Sequence, residues 1–189
     1  MDAITTRPAP RRSLLAAGLA AAVLAIPGAE RTRAKTMFQR GMSGGGLAQL
    51  ETGPEPRLAN FGLFASALQL ADGESLVLGR ITWIEAGTDL RLEALDVIQC
   101  IPIPNRTDGA EIRGRMSVNG EGDYPFVARA FDGGRPGSGL DRVEIEVNTA
   151  AAREDADPAA GDEAFEYEAF ATIVAGDMQW IVADIEVGG

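Results

Sequence analysis

Period-two alternation of apolar and polar residues runs through most of the chain. In TDLRLEAL, Leu90, Leu92 and Ala94 alternate with Asp89, Arg91 and Glu93, the pattern of a half-buried strand. The parity slips at Leu95, after which Val97 and Ile101 take the apolar side, so a β-bulge is expected near Ala94 and Leu95. Ala110, Ile112, Met116 and Val118 share one face, Asn119-Gly120-Glu121-Gly122 follows, and Tyr124, Phe126 and Ala128 resume the alternation. An Asn-Gly between alternating apolar segments is a strong hairpin signal. Val143, Ile145 and Val147 alternate with Arg142, Glu144 and Glu146, and FEYEAFATIV and MQWIVADIEV flank Ala175-Gly176-Asp177, which reads as a second hairpin.

Arg57 to Leu70 fits either period: a helix with Leu58, Phe61, Ala65 and Leu68 on one stripe, or a strand with Ala59, Phe61, Leu63 and Ala65 inward. Gly62 in its middle, and the Asp72-Gly73 turn before LVLGRITWIE, favour the strand. Short strands with turns at regular spacing, roughly eight to ten of them, predict an all-β fold, an antiparallel β-sandwich or a closed β-barrel. Two segments lack the pattern. KTMFQRGMSGGG, residues 35–46, has three consecutive glycines and no periodicity, and reads as a flexible lead-in to a single β domain over 47–189. The alanine-rich acidic stretch at about 149–164 reads as a surface insert.

Residues 1–34 have a different character. Arg11 and Arg12 precede an alanine-leucine run from Leu14 to Ile26, and Pro27 and Gly28 end it. A basic start, a short apolar middle and a small-residue end describe a cleaved signal peptide of twin-arginine type. The run of 13 residues is shorter than the roughly 20 that cross a bilayer as a helix. The expected location is therefore extracytoplasmic, periplasmic or secreted, with no membrane span in the mature form.

The chain has 17 basic and 28 acidic residues; without 1–34, which hold five arginines, Asp2 and Glu30, 12 basic remain against 26 acidic. A surface of that sign repels phosphate backbones and anionic headgroups, so nucleic acid is not an expected partner. Histidine is absent, Lys35 is the only lysine and Cys100 the only cysteine. Ser-His-Asp and Cys-His nucleophile systems and multi-thiolate zinc sites each need side chains missing here. What remains is chemistry by carboxylates or tyrosine, or a hard cation held on oxygen.

Asp132 and Asp141 bracket DGGRPGSGLD and are the candidate calcium ligands. Calcium takes about six to eight oxygens, and Gly137 to Val143 matches part of a calcium-binding nonapeptide, although that motif works as stacked copies. The alternative is structural, with glycine and proline setting the reversal and the aspartates accepting backbone N–H bonds. Trp83-Ile84-Glu85 and Gln179-Trp180 place an indole beside a polar group, as sugar clefts do, which keeps a carboxylate-based glycan hydrolase open. If the fold is a barrel, Phe64, Trp83 and Trp180 are candidates to line a pocket for a small apolar ligand. Cys100, in an apolar strand, reads as a small buried hydrophobe. No catalytic residue or cofactor beyond calcium is expected.

Gly109-Ala110-Glu111-Ile112-Arg113-Gly114, Tyr124 with Phe126, and the run from Asp132 to Asp141 follow the order G-A-x-I-x-G, Y-x-F and D-x-G-x-P-G-x-G-x-D. In this the chain resembles a family of exported bacterial all-β domains of uncharacterised function. The resemblance implies an exported β domain, sometimes appended to larger surface proteins, and brings no catalytic residues to transfer. The expected role is that of a non-enzymatic binding or envelope-associated module.

Overall fold

A computed structural model describes residues 36–51, 55–70, 73–135, 138–153 and 165–183. Residues 1–34, with the expected signal peptide, and 154–164, most of the expected insert, lie outside the described residues. Eight strands follow one another: β1 Thr36–Leu50, β2 Arg57–Leu70, β3 Ser75–Glu85, β4 Arg91–Pro102, β5 Gly109–Val118, β6 Glu121–Phe131, β7 Arg142–Val147 and β8 Tyr167–Ala183. A single helical turn, α1 Ala150–Arg153, stands before β8. Each strand pairs antiparallel with the next and β8 pairs with β1, so the sheet closes into an up-and-down barrel. Of the two expected architectures, the fold is the closed barrel.

The predicted β5–β6 hairpin turns through Asn119 and Gly120, both left-handed at φ 55° and 82°. The expected bulge in β4 is a register shift between Ala94 and Asp96, and an unexpected second one between Val97 and Gln99 reverses the parity again, so Val97 is buried as expected but Cys100 turns inward in place of Ile101, which is 45% exposed. The ambiguous segment 57–70 is strand β2, with Ala59, Phe61, Leu63 and Ala65 buried.

Two expectations are corrected. Most of the expected lead-in over 35–46 is strand β1, the best-paired strand of the barrel, laddered to β2 along one edge and to β8 along the other. Its glycines obscure the alternation because they serve close approach: a Cβ at Gly44 would lie 2.6 Å from the Asp177 carbonyl oxygen. The expected hairpin at Ala175-Gly176-Asp177 is instead the middle of the continuous strand β8. A turn there is replaced by a bulge, since Leu47 faces Ala175 while Ala48 faces Ile173. Gly46 and Gly176 face each other at this point with φ of +147° and +113°, and a side chain on either would run into the other strand's backbone.

The barrel interior is packed. Met42, Ile81, Trp83, Leu92, Ile112, Met116, Phe126, Ile145 and Met178 are fully buried and fill the lumen in a single cluster. Outside, Arg129 bridges Glu111 at 2.9 Å and Glu146 at 2.6 Å, and Arg113 reaches Glu111 at 2.8 Å, tying β5, β6 and β7 together.

Closure is uneven. The β3–β4 ladder holds only at Thr82, Trp83 and Ile84, opposite Glu93, Leu92 and Arg91. Beyond it the two bulges break the ladder, although Val97 of β4 still packs against Gly79, and no strand among the described residues is paired in a ladder with the β4-facing edge of Ser75 to Ile81.

Candidate functional site

The two ends of the barrel differ in chemistry. At the end where β2 begins and β3 finishes, the lumen is sealed by a hydrogen-bonded chain. Trp83 donates its indole N–H to the Tyr167 hydroxyl at 2.9 Å, and Tyr167 donates to Glu85 Oε1 at 2.7 Å. Arg57 then reaches Glu85 Oε2 at 3.1 Å, so a carboxylate only 2% exposed has a cation and a phenol as partners. Burial, and then the bond to Glu85, push the Tyr167 hydroxyl well above the usual tyrosine range. A glycan hydrolase needs two carboxylates flanking one bond, whereas the Glu85 carboxylate is committed to Arg57 and Tyr167.

At the opposite end, where β1 begins and β4 finishes, the divergence of β3 and β4 leaves a cleft of about 280 Å³. Phe38, Ala67, Cys100 and Pro102 give it apolar walls, and Arg40, Gln69 and Ser75 supply polar groups. The Arg40 guanidinium lies over the Phe38 ring, 4.3 Å from its centroid. Burial pushes the Cys100 thiol up from 9.0 to about 11, which keeps it protonated at neutral pH and inert as a nucleophile.

The three residues proposed to line one pocket do not meet there. Trp83 is fully buried in the lumen, its ring centroid 6.5 Å from that of Phe61 near the sealed end. Trp180 faces Met42 across the β1–β8 ladder and packs against the core in the other half. Phe64 sits between buried Leu63 and Ala65 and so turns to the outer face of β2, because adjacent residues of a strand point to opposite sides. Residues of the real cleft, Phe38 and Arg40, were hidden in the glycine-rich segment that carried no alternation signal.

Asp132 and Asp141 are brought together, across the β6–β7 loop. Asp132 accepts from Gly134 N at 2.8 Å with one oxygen and from Trp180 N at 3.0 Å with the other. Asp141 likewise accepts from Gly133 N at 2.8 Å and Met178 N at 3.1 Å. All four carboxylate oxygens therefore hold backbone donors, and the loop grips the edge of β8 beyond the reach of short β7. Among the described residues no group of three or more His, Cys, Asp or Glu side chains is placed to hold a metal ion. Calcium at this pair would compete for oxygens that already accept hydrogen bonds.

No family model, curated protein or solved structure matches this chain.

Proposed function

We propose that the protein is an exported, non-enzymatic binding module that takes a small amphiphilic anion in the cleft between the ends of β3 and β4. The observation that carries this reading is the cleft itself, about 280 Å³ with an arginine at an apolar wall. Its size lies just under the ~300 Å³ at which ligand pockets ordinarily begin, which favours a short chain over a full-length lipid. Phe38, Ala67, Cys100 and Pro102 would take the apolar body, and Arg40, with Gln69 and Ser75, the negatively charged end. Export follows from the twin-arginine pattern of residues 1–34, and the absence of histidine with a protonated thiol supports binding over catalysis.

The test is titration calorimetry with octanoate and, in parallel, octanol. Octanoate is expected to bind, and Arg40→Gln to weaken it by a few-fold, as a partly exposed ion pair would, without changing the response to octanol. Absence of heat from both ligands, with no small molecule released from native protein in the mass spectrometer, would remove the reading.

A further inference from the structure

Alternation along a barrel wall sends apolar side chains to the lumen and polar ones to solvent, so large aliphatics gathered on one outer wall mark a surface with a use. The β3–β4 wall carries such a group: Leu76 and Leu78 of β3, with Leu95, Ile98 and Ile101 of β4, are between 41% and 57% exposed. The two strands stay side by side there, since an added Cβ at Gly79 would lie 2.6 Å from Val97 Cγ2. That contact sets Leu78 and Ile98, the outward neighbours of Gly79 and Val97, beside each other. Half-buried Leu68 of β2 lies opposite Leu76 and extends the strip.

The strip is continuous with the cleft. Leu76 follows Ser75, and Ile101 stands between Cys100 and Pro102, so both cleft walls turn aliphatic on their outer side. The wall formed by β5, β6 and β7 is charged instead, with Glu111, Arg113, Arg129 and Glu146 interlocked on its outside. One aliphatic wall suits a protein lying on a bilayer, whereas a barrel that spans one needs an apolar band all round. A second copy is the poorer occupant, because the strip falls far short of the roughly 20–30 residues a side of a stable interface. Each copy without 1–34 also carries 12 basic against 26 acidic residues, which opposes self-association and disfavours anionic lipid alike. We propose that the β3–β4 wall docks the protein on a zwitterionic phospholipid surface and presents the cleft mouth to it, an inference that rests on the cleft being a site for an amphiphile.

The experiment attaches an environment-sensitive nitrobenzoxadiazole fluorophore to the full chain through Ile98→Cys and, as a control, through Val174→Cys, an exposed aliphatic on β8 at the far side of the barrel. Cys100, buried and protonated, does not compete for the label at neutral pH. With phosphatidylcholine vesicles the label at position 98 is expected to shift to the blue and brighten, and the label at position 174 to stay as in water. Leu76→Thr with Leu78→Thr should raise the lipid concentration at half-shift at least about tenfold, with circular dichroism confirming the fold. Phosphatidylglycerol vesicles should give the weaker response. A label at position 98 unmoved by phosphatidylcholine, an equal shift at both positions, indifference to the threonine exchanges, or a stronger response to phosphatidylglycerol would overturn the proposal. So would a shift that grows with protein concentration before lipid is added, which would show a second copy on the strip. Octanoate heat without a vesicle response removes the docking wall alone, and a vesicle response without octanoate heat removes the cleft ligand alone.

Discussion

At Asp141 one carboxylate serves two segments distant in sequence: Oδ1 fixes the start of its own loop at Gly133, and Oδ2 holds Met178 on β8. The side chain is 3% exposed, so its removal strands donors where water cannot replace it. Asp141→Ala is expected to cost about 2–6 kcal/mol in urea unfolding, from two orphaned N–H groups at roughly 1–3 each. Asp132→Ala, whose Gly134 bond is exposed, should cost less, near 1 kcal/mol. Because hydrogen bonds already occupy all four oxygens, calcium added after chelation should leave the melting temperature of the parent unchanged. A calcium-dependent rise lost in Asp141→Ala would make the pair a metal site. The sequence made these aspartates legible as hydrogen-bond acceptors in a glycine-rich reversal. It could not reveal their partners on β8, because such contacts leave no local pattern. Tyr167 was equally hidden: period two marks it as inward, and only the folded barrel brings it to Trp83 and Glu85.

Strands were readable where alternation was written in side chains, and misread where glycine replaced it. The segments of β5 to β7 follow their apolar parity, and the Asn119-Gly120 turn has the left-handed dihedrals that residue pair favours, whereas in β4 the parity expected for Ile101 is reversed by the second bulge. β1 failed the same reading because Gly41, Gly44, Gly45 and Gly46 erase the contrast between its faces, although close approach to β2 and β8 is what requires them. β8 looked like two strands because a glycine bulge and a turn share composition. The paired β1 and the half-open β3 make opposite predictions for hydrogen exchange. Amides of β1 from Met42 to Leu50, laddered on both edges, should be among the slowest in the protein. In dilute protein, the β4-facing amides of Ser75 to Ile81 should exchange faster by orders of magnitude. Equal protection of the two would mean that β3 and β4 are laddered in solution and that the edge is closed.

On the scale of the whole molecule, closure makes the two ends of the barrel answer to one unfolding event, so groups titrating at either end act on the same transition. Cys100 at the cleft and Tyr167 at the sealed end both have their ionisation pushed upward, burial being the leading cause in each. For Cys100 the window runs from 9.0 to about 11. Below it both folded and unfolded chains keep the proton, and the thiol contributes its full share of stability. Within it the unfolded chain releases the proton and the folded chain retains it, so rising pH favours unfolding, by about 2–3 kcal/mol once the window is passed. Tyr167 acts in the same direction from 10.0 upward, so the decline should steepen there. Urea midpoints at a series of pH values from 8 to 11 should therefore be level at first and then fall. Cys100→Ala is expected to flatten the first part of the fall. Tyr167→Phe should lower the midpoint at every pH, because Trp83 loses its acceptor, while removing part of the slope above 10. If Cys100→Ala declined as steeply as the parent between 9 and 10, the thiol would have to be hydrated in the folded state, and the cleft it lines would be wetter than its apolar walls imply.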